Sequence, residues 1–451
     1  MRRPFPRTAT LAVAWLAAAC TGPEAGKTAF VGAEIFDGTG SAPIKDGVII
    51  VAGSHIERVG PRDSVNVPRG AVVVRVDGKW VIPGLIDGHT HVQRWTLPRF
   101  LAYGVTSVRD VGNATDSIVA LRARVADGTL AGPRLFISGA MIDGSPATRP
   151  SAFAAETPED GRRAVDRLVL SNVSQIKVYT NVDQKLLEAV VDEAKTFHVP
   201  VTAHLGKVDA VTAARIGVTG LEHMSGVVEA TMKDPKPLFQ AHTAFFAGWK
   251  AFERGWASLD SAALDRTAHA LIDAKVTIIP TLVQHQTYAY LEDPAYVAGL
   301  DLSGVPRAVR TDWDIPDLVI RADLTPEDYA AFRQSRPVED FFVRLYHRAG
   351  GLVVAGTDTP NQLLAPGASL HDEMGLLVRA GLTPKDALLA ATRDAARLLG
   401  ADSLGVLKDG APADFVVVAG NPLSDIANTK RVEQVVANGV GRAVADLRRG
   451  W

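Results

Sequence analysis

The 451-residue sequence has a single cysteine, Cys20. That excludes an internal disulfide framework and any zinc site built mainly from thiolates, so a metal would have to be held by His, Asp, Glu or Lys. An excess of charge is also missing: 48 basic residues face 50 acidic ones, for a formal net charge of -2. Such a balance gives no electrostatic case for gripping nucleic acid by its phosphates. Long apolar runs are scarce too. The one candidate, residues 8–19, is too short to span a bilayer as a helix. What is there, 47% hydrophobic and 22% charged residues, describes a globular chain long enough for one large domain or two modest ones.

The first twenty residues read as an address. Arg2, Arg3 and Arg7 precede the apolar run, and the small residues Ala17, Ala18 and Ala19 precede Cys20, the layout of a secretory signal peptide. The placement of Cys20 resembles a bacterial lipoprotein signal, although Ala17 replaces the usual Leu; an ordinary cleaved signal is the alternative. Arg2-Arg3-Pro4-Phe5 resembles part of a twin-arginine signal. The expectation is an exported protein, periplasmic or anchored to the membrane through a lipid on Cys20.

Residues 21–82 carry short β-branched runs broken by Gly, Asp and Pro, at 48–51, 55–59 and 72–76, which predict a small sheet. From Pro83 the pattern becomes apolar runs alternating with helical segments, the mark of βα units around a parallel sheet. Eight strands are predicted, at 85–89, 105–110, 135–139, 175–179, 201–204, 220–223, 277–282 and 352–356. Eight units over residues 83–400 suggest a barrel with long insertions. Helix starts are marked by Thr157, Thr325 and Thr383, each followed by Pro and an acid at the third helical position. Strand patterns return at 415–418 and 432–437, so residues 401–451 are expected to complete the small β domain begun by residues 21–82.

At the end of the first barrel strand, Pro83-Gly84-Leu85-Ile86-Asp87-Gly88-His89-Thr90-His91 sets two histidines at alternate positions. Residues two apart on a strand face one side, so both imidazoles can converge on one metal. Lys177, His204, His223 and Asp358 fall at the ends of strands four, five, six and eight. Each alone reads equally well as a solvated lysine or a structural histidine. Their joint placement, at the end of a barrel where active sites lie, is the signal.

This motif, with the late stretch Leu404-Gly405-Val406-Leu407-Lys408-Asp409-Gly410-Ala411-Pro412-Ala413-Asp414, resembles the metal-dependent amidohydrolase superfamily, in its imidazolonepropionase-like and prolidase-like group. The resemblance implies an α/β fold: a distorted TIM (β/α)8 barrel with a small β-sandwich domain from both chain ends. It implies two divalent metal ions. His89 and His91 with Asp358 would hold one, His204 and His223 the other, and Lys177 would bridge them. A buried lysine has a lowered pKa, and its neutral amine can add carbon dioxide to give an anionic carbamate ligand. The donors suit zinc, with manganese, iron, nickel or cobalt fitting as well.

The implied reaction is hydrolysis of an amide-type C–N bond (peptide, N-acyl or cyclic amide) in a small molecule, through a metal-bridging hydroxide with Asp358 as general base and acid. Alternatives are a one-metal deaminase, against which Lys177 argues, a lactone or phosphoester hydrolase on the same site, and a non-catalytic binding relative. Residues 179–183 lead almost directly into a helix, without the Gly- and Pro-bearing insertion common in the dipeptidase branch. Tyr179, His285 and Tyr288 are the expected substrate contacts. The remaining aromatics of the two long insertions are expected to pack, His55, His198, His242, His269 and His347 to be structural or exposed, and His371 to serve a helix start. No nucleic-acid partner is expected, and a homo-oligomer is among the possible assemblies.

Overall fold

The computed structural model describes residues 26–449 and 451. The signal segment and Cys20, with the lipid anchor expected there, lie outside the described residues.

Both chain ends build one mixed sheet. Its strands are β1 (Lys27–Ile35), β2 (Ile44–Ala52), β3 (His55–Pro61), β4 (Val72–Arg75), β5 (Trp80–Pro83), β16 (Phe415–Val418), β17 (Val432–Ala437) and β18 (Val440–Ala443), in the order β18-β17-β16-β5-β1-β2-β3 with β4 beside β1. Phe30, Ile35, Ile49, Ile56 and Phe415 pack within it, with Phe30 and Phe415 edge to face at 4.9 Å.

Between these ends lies the barrel. Its strands are β6 (Leu85–Thr90), β7 (Val105–Asp110), β8 (Arg134–Ile137), β11 (Ile176–Val178), β12 (Val201–Ala203), β13 (Gly220–Glu222), β14 (Thr277–Ile279) and β15 (Leu352–Val353). All neighbouring pairs are parallel, and β6, β7, β11, β12 and β13 are buried along their whole length. Strands covered on both faces read as continuous apolar runs, which is why their patterns were legible. Closure comes from Gly88 N–H to Ala355 O (2.9 Å) on one side and Ser174 N–H to Ile137 O (2.8 Å) on the other. The distortion sits at the second seam. There β9 (Ile142–Gly144) and β10 (Phe153–Ala155) form a parallel pair that joins the barrel through β11; this hairpin-sized excursion was not predicted, because three-residue strands carry too few residues for a period.

Helices complete each unit. Thr157, Thr325 and Thr383 each form a capping box with an Asp three residues on and Pro in the first turn. The helix Gln184–Thr196 buries Leu186, Leu187, Val190, Val191 and Ala194, and the chain leaves it through His198 in the left-handed region (φ 56°) before Pro200. The insertions after β13 and β14 fold into helices around Trp313, Tyr329 and Phe332, and they roof the carboxyl end of the barrel.

Candidate metal centre

The barrel brings all six expected ligands to one cavity of about 340 Å³. His89 lies in β6, Lys177 in β11, and His204 and His223 directly follow β12 and β13. Asp358 follows β15. His223 and Asp358 hold left-handed conformations (φ 58° and 62°), a cost that turns both side chains back across the barrel mouth. The rings of His89 and His223 are 4.5 Å apart, and those of His204 and His223 4.8 Å.

The histidines are oriented from behind. His89 Nδ1 donates to Glu222 Oε2 (2.6 Å), His91 Nδ1 to Gly112 O (3.0 Å), and His223 Nδ1 meets Thr281 Oγ1 at 2.7 Å. With Nδ1 engaged, Nε2 of each ring faces the cavity, the orientation metal-ligating imidazoles require. Glu222 is itself tied to Arg109 (2.9 Å) and to the Thr202 hydroxyl. Burial acts to raise its pKa, but the charges of Arg109, Lys177 and His89 hold it well below the usual carboxylate range. Asp87 ties the two ends of the barrel seam together: it accepts from the Thr357 hydroxyl (2.6 Å) and from the amides of His89 and Thr357.

The electrostatics match a site for cations. Burial pushes His204 and His223 well below the ordinary imidazole pKa, assisted at His204 by Lys177 and at His223 by His89. Both rings are therefore neutral and free to coordinate. Burial also lowers Lys177, to about 8. At Asp358 burial acts upward, but His89 beside it outweighs this, and the carboxyl falls well below its usual range. Gln284 donates to Asp358 Oδ2 (2.5 Å). Asp358 Oδ1 lies 3.1 Å from His89 Nε2 and 3.0 Å from His91 Nε2, yet no hydrogen bond aligns to it, and Lys177 Nζ is likewise buried without a partner. Such orphaned polar atoms are costly unless something else satisfies them. Ligand atoms of His89, His223 and Asp358 lie within 4.8 Å of one another. Four imidazoles, one carboxylate and one lysine amine are donors that fit a divalent metal centre.

Of the expected substrate contacts, Tyr179 and Tyr288 line the cavity and His285 does not. His285 occupies the helix Leu282–Ala289, where successive side chains diverge by about 100°. Gln284 and Tyr288, four apart, face the cavity, and His285 is turned away onto Glu253 (2.7 Å). His242, expected to be structural or exposed, is buried in the cavity wall against Glu229 (2.8 Å). His371 lies within the helix Ala368–Ala380, away from the cavity, between Thr429 and the Tyr103 carbonyl. Arg109, Glu222 and Asp87 went unread, because a charged residue inside a strand carries no sign of which atoms it will meet. Arg149 and Gln284, also cavity-lining, sit on segments whose course sequence does not give.

Comparison with known proteins now places this geometry. The sequence model of the amidohydrolase family matches residues 80–441, and the chain belongs to that family. An uncharacterized protein of Mycobacterium tuberculosis is 31% identical over 209 residues, covering 42% of this chain and 31% of that protein; the chain thus aligns with about a third of that relative's length. The imidazolonepropionase of Shewanella loihica is 26% identical over 403 residues, 83% of this chain and 88% of that one. Among solved structures, bottromycin amidohydrolase superposes with a TM-score of 0.70 at 23% identity, covering 93% of this chain and 88% of that one, a likeness of fold. The chain is thus an amidohydrolase-family member similar over most of its length to imidazolonepropionase, with donors suited to metal-dependent hydrolysis.

Proposed function

We propose that the protein hydrolyses an amide-type C–N bond of a small molecule at a binuclear centre held by His89, His91, Lys177, His204, His223 and Asp358. The observation that carries this reading is the pair of buried atoms without hydrogen-bond partners, Lys177 Nζ and Asp358 Oδ1, among imidazoles that line the same cavity. Bound divalent ions, zinc by donor chemistry, would supply Lewis acidity toward a carbonyl oxygen and lower the pKa of a water molecule.

The chain's own groups do the rest. Lys177, neutral when its proton is lost, adds carbon dioxide at Nζ and releases one proton, giving a carbamate that offers two oxygens where the amine offered one nitrogen. Asp358 Oδ1 accepts a proton from the attacking water and passes it to the leaving nitrogen. Gln284, on Oδ2, keeps the carboxylate turned to the site. Glu222 and Thr281 hold His89 and His223 in their ligating tautomers. Export of the protein, anchored at Cys20, is part of the same proposal and rests on residues 1–20 alone.

Elemental mass spectrometry on protein purified without chelator tests the centre. About two metals per chain are expected, falling in Lys177→Ala, with hydrolysis in a panel of peptides, N-acyl amino acids and cyclic amides. One metal, indifferent to that substitution, would leave Lys177 a structural residue and favour the one-metal deaminase.

A further inference from the structure

Beyond the metal donors, the cavity wall is largely aromatic and apolar, including Phe245, Phe246, Trp249 and Leu318, and it holds one cation with no carboxylate against it. Arg149 forms no ion pair among the described residues, whereas Arg321, also on the wall, is held by Asp317 four residues back on its own helix. The Arg149 guanidinium lies over the Phe245 ring, 5.7 Å from its centroid, and Tyr179 packs on that same ring and on His204, with ring centroids 6.1 and 5.0 Å apart. It is therefore turned toward the metal centre, while the residue as a whole stays open to solvent.

The loop that carries Arg149 is fixed in place. Buried Asp143 accepts from the amides of Thr148 (2.7 Å) and Asn181 (2.8 Å), so a single carboxylate joins this loop to the turn after Lys177 and Tyr179. Asn181 Nδ2 adds a bond to Pro146 O (3.0 Å), and the Thr148 and Thr180 hydroxyls meet at 3.1 Å. Gly144 permits the close approach: a Cβ there would fall 2.2 Å from Asn181 O. An arginine set in advance, on an aromatic face and beside a phenol, is suited to a planar anion. Among the described residues the other carboxylate on the wall besides Asp358 is Glu253, which is taken by His285 and Trp249.

We propose that Arg149, with the Tyr179 hydroxyl, is the seat of a substrate carboxylate, and that the substrates are N-acyl amino acids or short peptides with a free carboxyl terminus and an apolar remainder. The carboxylate docks on the β9–β10 loop, and the apolar part lies against Phe245 and Trp249. The position of the scissile bond rests on the hydrolase reading; the anion seat does not.

Calorimetry with the inert pair 3-phenylpropanoate and 3-phenylpropan-1-ol separates the two. The wild-type protein is expected to prefer the carboxylate by about 10- to 100-fold, the range of a charged hydrogen-bonded pair. Arg149→Met should abolish that preference and Arg149→Lys keep part of it, with unfolding midpoints unchanged. A preference that survives in Arg149→Met places the anion on the metal centre and overturns the assignment, as does an absent preference in the wild type. In turnover, Arg149→Met should raise KM for N-benzoylglycine far more than KM for N-benzoylglycinamide. Carboxylate selectivity lost in Arg149→Met, without hydrolysis of either compound, would sink the hydrolase reading and leave the anion seat standing.

Discussion

Among the described residues two buried clusters have the composition of a metal site: His89, His223 and Asp358 at the barrel mouth, and Glu253, His285 and Glu339 behind the cavity wall. They differ in what surrounds them. In the first, burial holds His223 neutral, a lysine and a carboxylate oxygen lack hydrogen-bond partners, and the residues face an open cavity. In the second, His285 Nε2 and Glu339 Oε1 also lack hydrogen-bond partners, but its charges are balanced from within. Arg336 pairs with Glu339 and with Asp340 (2.9 Å), and His285 and Trp249 both donate to Glu253. Burial acts to lower the His285 pKa, but Glu253 and Glu339 outweigh it and raise it to about 9. An imidazolium with a guanidinium against two carboxylates needs no further cation. Ligand-type residues mark a site where their charges are left unbalanced; an unpartnered atom alone does not decide it.

The largest expected effect breaks the first cluster. Asp358→Asn keeps the shape of the side chain but cannot accept the proton, so turnover should fall by about 10³-fold, the range of a lost acid–base group, with circular dichroism unchanged. A variant that turns over near the wild-type rate would remove Asp358 from the chemistry. The next effect breaks the second cluster. Glu339→Ala takes from Arg336 and His285 a carboxylate they share and unbalances the buried charge, a loss of about 3–5 kcal/mol in chemical unfolding, while metal content stays as in the wild type. Loss of metal without loss of stability would instead make Glu339 a ligand and erase the distinction.

The same contrast explains what the sequence disclosed. The eight barrel strands and the metal donors were legible because apolar runs announce buried parallel strands, and a polar residue at the end of such a run has one place to point. His89, Lys177, His204 and His223 all follow that rule. His285 also stands just beyond a strand, but it lies in a helix, and one residue of helical rotation separates it from Gln284 on Asp358. Arg149 and the β9–β10 excursion belong to a loop ordered by Asp143 and Asn181, a contact 38 residues apart in sequence that no local pattern encodes. Glu222 was hidden differently. Beside His223 in the chain, it points to the opposite face and acts through His89, which arrives from β6.

The smallest effect sharpens the comparison through pH. His285 has a folded pKa of about 9 against an ordinary 6.5, so the folded state binds the proton more tightly. Its contribution is fully present below pH 6.5 and is lost as pH rises through 9. Glu373, whose carboxyl burial raises to about 8, acts with the same sign from its unfolded value upward. Lys177 runs the other way. Its folded pKa of about 8 lies below the model-compound 10.5, so the unfolded state binds more protons between those values and stability gains as pH rises through them. Unfolding midpoints should therefore decline from pH 7 to 8, where His285 and Glu373 both lose stability, and recover above pH 9, where Lys177 alone still gains; in Lys177→Met, which deletes the opposing contribution, the recovery should vanish. Glu339→Gln removes one of the two carboxylates that hold the His285 proton, and should flatten the decline between pH 7 and 8. Equal slopes in the wild type and in Glu339→Gln would mean that His285 carries no charge, and the second cluster would then have an unbalanced carboxylate for which a bound cation becomes the better account.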